Sequence, residues 1–258
     1  MPADPTPLAA FRGVTHRYGD FEALSDLQLD IYKGEVFGLL GPNGAGKTTA
    51  VRILCGLMRP SSGSVTVAGR DVLDGIEARR HLAFVPDGAP LYVNLSLRQH
   101  LRLVGRLHEL PEEDLEGRIE HLVRGLDLEG RADEPVGHFS RGMRQKAALA
   151  CAILPRPELL VLDEPLSGLD APTAAMIKEV LRQWADRGGA VLYTSHLLDV
   201  VERVCDRMAI LARGKLVALG SLDELRAQAG RDGTLEEVFA LLAHTADPVE
   251  KARALLEG

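Results

Sequence analysis

The sequence predicts an α/β fold: a parallel sheet flanked by helices, an antiparallel β unit on the N-terminal side and a helical segment inserted between two parallel strands. Three observations carry this. Short apolar runs of buried-strand type, from Glu35 to Leu40, from Glu158 to Asp163 and from Ala190 to Ser195, are separated by long stretches of helical spacing. Leu27, Leu29 and Ile31 alternate with Gln28, Asp30 and Tyr32, the period-2 pattern of a strand with one wet face. From Asp87 to Ala152 the pattern is helical throughout.

Taken in order, residues 8 to 37 read as strand and turn. The run ending at Leu40 is followed by a glycine-rich loop and a helix predicted near Lys47 to Leu57, with Val51, Leu54, Cys55 and Met58 on its apolar stripe. Pro60, Ser61, Ser62 and Gly63 are turn chemistry before a strand from Ser64 to Ala68, completing a small, mostly antiparallel sheet. His81 to Val85 is a further strand, stopped by Pro86. Leu97, Leu101, Val104 and Leu107 mark one helix, and Leu115, Ile119, Leu122 and Val123 another, entered after Pro111. A third runs from Ser140 to Leu154. Ile177, Val180, Leu181 and Trp184 share a helical face, which places Trp184 in the core rather than on a ligand. Arg213 and Gly214 turn a hairpin between strands at Met208 to Leu211 and Lys215 to Leu219, and the tail from Thr234 is an amphipathic helix carrying Leu235, Val238, Phe239 and Leu242.

With 258 residues, 46% of them hydrophobic and 26% charged, the chain has the composition of a globular protein able to bury a sizeable core. Its formal net charge of −7 argues against a general nucleic-acid binder, which needs a basic stripe to release counterions. Cys55, Cys151 and Cys205 lie far apart among apolar residues and read as reduced core thiols. No window of about 18 consecutive apolar residues is present, so the expected location is cytoplasmic, with any membrane association coming through a partner.

The chemistry concentrates at Gly41-Pro42-Asn43-Gly44-Ala45-Gly46-Lys47-Thr48-Thr49, which fits the pattern G-x-x-x-x-G-K-[ST]. Glycines without Cβ let successive backbone N–H groups approach phosphate oxygens, Lys47 is a mobile charge for the β- and γ-phosphates, and the Thr48 hydroxyl suits Mg²⁺. The following helix aims its positive end at the anion. Asp163 ends a strand where a parallel sheet presents residues to a ligand crevice, so its carboxylate can hold Mg²⁺, and Glu164 is then free to polarise a water. A turn after an acidic strand end is the plainer reading of that pair taken alone. His196, at the next strand end, can donate to a γ-phosphate oxygen or orient the water. Ser140 is a natural N-cap and Gly142 exposes backbone N–H groups, which makes this helix start attractive to anions, as any well-capped helix start is.

The ordered set resembles the nucleotide-binding subunit of an ATP-binding cassette (ABC) transporter, over about Leu8 to Leu242. Gly41 to Thr48 matches the Walker A loop, Leu159 to Asp163 the Walker B strand, Glu164 the catalytic glutamate, Ser167 to Asp170 the D-loop, His196 the switch histidine, Tyr18 the ring that stacks on adenine and Ser140 to Arg144 the signature motif. The resemblance implies a RecA-like P-loop NTPase core, with an ATPase domain over 8–230, a helical subdomain inserted at about 87–155 and a helical tail over 231–258. It implies ATP and Mg²⁺ as cofactors. It also implies a second ATPase subunit, most simply a homodimer, facing head to tail so that one chain's Walker A loop and the other's signature helix enclose the nucleotide.

Two motifs depart from the family pattern. The signature reads Phe139-Ser-Arg-Gly-Met143 instead of Leu-Ser-Gly-Gly-Gln, so Arg141 stands where a glycine is usual and is expected to bring positive charge near the phosphates. Asp87 stands where the Q-loop glutamine is usual and remains a possible metal ligand. Details such as Val85-Pro-Asp87 and Leu235 to Phe239 resemble the export branch, whose ATPases dock on a separate polytopic permease, here through the insertion between Asp87 and Leu107. The protein would then sit on the inner face of the cell membrane. A soluble ATP-gated clamp and a scaffold that hydrolyses little are the competing readings, and the transported substrate is not written in the chain.

Overall fold

The computed structural model describes residues 6–195, 198–230 and 232–243. Two sheets meet around the first core. The smaller is antiparallel, with order β2-β1-β4-β5, from β1 (Ala9–Tyr18), β2 (Phe21–Ile31), β4 (Ser62–Val67) and β5 (Arg70–Asp71). The larger has six strands in the order β10-β9-β3-β8-β7-β6. In it β3 (Val36–Leu40), β6 (Leu82–Val85), β7 (Leu159–Asp163), β8 (Ala190–Thr194) and β9 (Arg207–Ala212) run parallel, and β10 (Lys215–Gly220) closes one edge antiparallel to β9.

The central strands are covered on both faces, which is why they read as continuous apolar runs rather than as alternations. Successive residues go to opposite cores. Phe37, Leu39, Leu159, Val161, Leu192 and Ala209 face β1, β2, β4 and the helix α1 (Lys47–Leu54). Val36, Leu40, Leu160, Leu162, Tyr193 and Ile210 face a layer made by α4 (Arg141–Ile153), α5 (Ala171–Asp186), α6 (Leu198–Val204), α7 (Leu222–Ala229) and α8 (Leu235–Leu242). Each fully buried leucine or valine contributes roughly 1.5–3 kcal/mol relative to exposure, so the register of these strands is strongly fixed.

A third core belongs to the insertion. Leu97 and Leu101 of α2 (Leu97–Leu107) pack with Leu115, Ile119 and Val123 of α3 (Glu112–Gly125) and with Ala147, Ala150 and Leu154 at α4. Ser96 and Gln99 cap α2 reciprocally. Below them His100 is buried, its Nδ1 donating to the Ser96 carbonyl at 2.8 Å while its Nε2 accepts from the Tyr92 N–H at 3.0 Å, so the ring is the neutral Nδ1–H tautomer.

Several boundaries differ from expectation. Helix α1 stops at Leu54 because Gly56, at φ +64°, turns the chain back, so Met58 reaches the same core from a loop rather than from the helix. Strand β4 begins at Ser62 and takes in residues expected to be turn, while His81 belongs to a 3₁₀ turn before β6. Helices α6 and α7 and strand β5 add to the elements expected. Trp184 is half-buried against the second core, and its indole N–H has no partner among the described residues.

Candidate functional site

The parallel strands β3, β6, β7 and β8 end at the same side of the sheet, and the glycine loop, Asp87, Asp163 and Glu164 lie at those strand ends. Val85 is in register with Leu162, and Asp163 with Thr194, so Asp87, Asp163, Glu164 and Ser195 stand side by side past the strand ends. The glycine loop leaves β3 next to them.

Gly46 is the N-cap of α1 at φ +106°, and a Cβ placed there would lie 2.6 Å from the Ala23 carbonyl oxygen of β2. No other residue fits. Gly44, at φ +79°, faces open space instead. Three backbone bonds fix the loop's base: Ala45 N–H to the Pro42 carbonyl (3.1 Å), Gly214 N–H to the Ala45 carbonyl (3.0 Å) and Ser25 N–H to the Gly214 carbonyl (2.8 Å). The loop, the β9–β10 hairpin and β2 are thus tied together. Helix α1 has no side-chain cap and no acidic residue in its first turn, so its own sequence leaves the positive end of its dipole uncompensated.

Lys47 is half-buried and folds back on the loop, Nζ donating to the Gly41 carbonyl at 2.5 Å and the Pro42 carbonyl at 3.3 Å. Burial pulls its pKa below the ordinary lysine value, opposed by the charges of Glu164 and Asp163. The ammonium therefore shares a site with both carboxylates. Thr48, Asn43 and Gly44 are exposed, Pro42 is half-buried, and Gly41, Ala45 and Thr49 are buried beneath them.

Asp163 and Glu164 are held by hydroxyls from the end of β8. Thr194 Oγ1 donates to Asp163 Oδ1, and the Glu164 N–H reaches the Thr194 carbonyl at 3.1 Å and Oγ1 at 3.3 Å. Ser195 Oγ donates to Glu164 Oε2 at 3.3 Å. Glu164 itself sits in the left-handed region at φ +49°, a conformation costing a glutamate on the order of 1 kcal/mol. Sequence reasoning missed Thr194 and Ser195; the available signal was two consecutive hydroxyls closing the apolar run Ala190–Tyr193. His196 lies outside the described residues.

Tyr18 projects from the end of β1, 46% exposed, with its hydroxyl 3.3 Å from Met58 Sδ and 3.5 Å from Thr49 Oγ1, and with the His16 ring edge-on at 4.7 Å. Asp87 is exposed after Pro86. Ser140 caps α4 by accepting from the Met143 N–H at 3.2 Å. The Arg141 guanidinium lies against Gly168, and Gly142 faces Asp170 and Thr173.

The donor set fits Mg²⁺. That ion takes hard oxygen ligands, usually one or two from protein with the rest from phosphate and water, and Thr48 and Asp163 offer one hydroxyl and one carboxylate. No cluster of three or more His, Cys, Asp or Glu side chains able to hold a metal occurs among the described residues.

Residues 24–167 match the protein family described as ABC transporter. The chain is 37% identical to the daunorubicin resistance ATP-binding protein DrrA3 of Streptomyces coeruleorubidus over 95% of its own length and 80% of that protein. It is 36% identical to the Nod factor export ATP-binding protein I of Cupriavidus pinatubonensis, over 85% of this chain and 68% of the other. A solved structure titled as the ATP-binding subunit of an ABC transporter superimposes with a TM-score of 0.86 at 36% identity, over 91% of this chain and 99% of that one.

Proposed function

We propose, from the premise that the chain belongs to the ABC transporter family, how its residues divide the work of an ATP-binding and ATP-hydrolysing subunit that powers export. The observation that carries the assignment is that the glycine loop after β3 and the Asp163–Glu164 end of β7 lie at the same end of one parallel sheet, with an uncapped helix start following the loop and the charges of both carboxylates felt at Lys47. The backbone N–H groups from Gly41 to Thr49 cradle the phosphates, Lys47 leaves its loop carbonyls for the β- and γ-phosphate oxygens, and Tyr18 stacks on the base. Thr48 and Asp163 would hold Mg²⁺, which would supply charge neutralisation at the phosphates, and Asp87, after the end of β6, is the further candidate ligand.

Glu164, oriented by Ser195, accepts a proton on a carboxylate oxygen from water as that water attacks the γ-phosphorus in line, with ADP leaving. His196 assists at the γ-phosphate. Ser140 and Gly142 serve a second ATPase subunit's nucleotide rather than this chain's own, because the start of α4 packs on the Gly168–Thr173 segment. ATP then joins two subunits, and hydrolysis releases them.

No helix among the described residues is long and apolar enough to cross a membrane, and the proposed membrane attachment is a polytopic permease. A cavity of about 490 Å³ between β6, α2 and α4 offers it a seat. Phe84, Leu91 and Val104 line the floor, Ile76 and Leu107 stand exposed at the mouth, and Arg79, Arg80 and His108 ring it. Burial, with Arg80 beside it, pushes the His108 pKa below the ordinary value. An amphipathic cytoplasmic helix with an acidic edge suits this lining.

The deciding experiment is Glu164→Gln in the complex with its permease. Hydrolysis is expected to fall by about 100-fold or more while ATP-bound dimer accumulates. Undiminished hydrolysis would take the general-base role away from Glu164.

A further inference from the structure

Arg141 is the residue whose position the family reading leaves unexplained. It replaces a glycine, it stands exposed at the first position of α4, and its guanidinium is turned away from the helix start onto the turn that follows Glu164. Nη1, Cζ and Nε lie 2.7, 2.8 and 3.1 Å from the point a Cβ on Gly168 would occupy. Near-equal distances to three atoms of one plane mean that the flat face of the guanidinium lies on the Gly168 Cα. A side chain at 168 would be strained at φ +67° and would have to displace that guanidinium. One residue further along α4, a Cβ on Gly142 would stand 3.5 Å from both Asp170 Oδ2 and Thr173 Oγ1. Asp170 is itself fixed, accepting from Thr173 N–H at 2.9 Å and Thr173 Oγ1 at 3.0 Å as the N-cap of α5.

The segment gripped in this way is short and leads directly to the site. The Ser167 N–H donates to the Glu164 carbonyl at 3.2 Å, and the Leu169 N–H to the Leu166 carbonyl at 3.4 Å, so Glu164 to Leu169 is a wound turn with little slack. At its start Glu164 holds an unfavourable backbone conformation that surrounding contacts must maintain.

We propose that Arg141 is a positioning residue: it clamps the start of α4 to the Gly168 turn, so that the signature helix and the catalytic carboxylate of one chain move as a unit. The proposal rests on the ATPase reading given above. Its consequence is that a nucleotide touching the start of α4 from a second subunit is felt at this chain's own Glu164, through packing rather than through the charge of Arg141. A guanidinium is suited to this because it is planar and weakly hydrated, whereas an ammonium offers no face to lay on a backbone.

The test is steady-state ATP hydrolysis by the permease complex, with kcat and KM read separately. Arg141→Ala is expected to lower kcat about fivefold with KM for ATP within about twofold, and Arg141→Lys to lower kcat comparably although the charge is kept. Gly168→Ala should be epistatic: its further loss of kcat should be at least about threefold smaller in the Arg141→Ala background, where the guanidinium no longer meets the added methyl. Full activity in Arg141→Lys, a rise in KM with kcat intact, or strictly multiplicative losses in the double variant would overturn the clamp. Arg141 is exposed, so its variants should fold, and unchanged thermal unfolding verifies it. Hydrolysis that survives Glu164→Gln would instead bring down the underlying assignment of Glu164, a separate result with a separate variant.

Discussion

Both ends of the six-stranded sheet are rich in charge, but they use it in opposite ways. At the end where the parallel strands begin, an acidic residue immediately precedes each of three strands, and each is paired on the protein. Glu35, before β3, accepts from the Tyr32 N–H at 2.8 Å and meets Arg207 at 3.1 Å; Asp206, before β9, accepts from the Val36 N–H and from Arg182, both at 2.8 Å; Glu158, before β7, meets Lys33 and His81. At the end where the strands finish, Lys47 rests on backbone carbonyls, α1 starts without an acidic residue, and Glu164 holds a costly backbone angle. One end is satisfied by the chain itself and stabilises it. The other sets Lys47 on loop carbonyls near two carboxylates, an arrangement suited to a polyphosphate arriving with its divalent cation.

That contrast can be broken from either side. The largest effect is expected at Lys47: Lys47→Ala should weaken ATP binding by about 100-fold, ~3 kcal/mol, in an equilibrium titration, while chemical denaturation shows stability within about 1 kcal/mol of the parent. A loss of stability matching the loss of binding would erase the distinction between the two ends. The converse is Arg207→Ala, which strands the nearly buried Glu35 and removes a cation from over the Tyr32 and Phe37 rings. Urea denaturation should report a loss of about 2 kcal/mol, discounted from fully buried pairs because Arg207 is 28% exposed, with ATP affinity untouched.

Smaller effects sharpen the same picture. Ser195→Ala removes the hydroxyl that orients Glu164 and should lower kcat about fivefold at constant KM, with Ser195→Thr restoring part of it. A parallel fall in unfolding stability and no kinetic change would make Ser195 a member of the structural end instead. The smallest concerns pH. Lys33, then His81, hold the Glu158 carboxyl below its ordinary value. Its contribution to stability is therefore complete above the unfolded carboxylate range, near pH 4.5, and is lost as the pH falls through the lowered folded value. Glu158→Gln should flatten that part of the stability–pH curve, and an unchanged slope would show that the pair adds nothing.

Legibility in the sequence divides along the same line. The finishing end was readable because its chemistry is local: Gly41 to Thr49 and Asp163-Glu164 are contiguous, and the apolar runs Val36–Leu40 and Leu159–Leu162 announced the strands that carry them. The beginning end was not, because Glu35 and Arg207 are 172 positions apart and Val36 and Asp206 are 170 apart, and no spacing rule links such partners. Helix α7 escaped notice because only Leu225 is buried on it, too little for a stripe. The contact of Arg141 with the turn at Gly168 was not readable either, because 27 positions separate the two and only the fold brings them together.

The close approach of Gly46 to the Ala23 carbonyl has one more consequence. It makes the antiparallel sheet and the phosphate loop two jaws of a calliper, joined at Ala23, Ala45 and Gly214, with the Tyr18 ring on one jaw and the α1 dipole on the other. Any methyl at position 46 would force those jaws apart, because it would meet the Ala23 carbonyl oxygen at 2.6 Å.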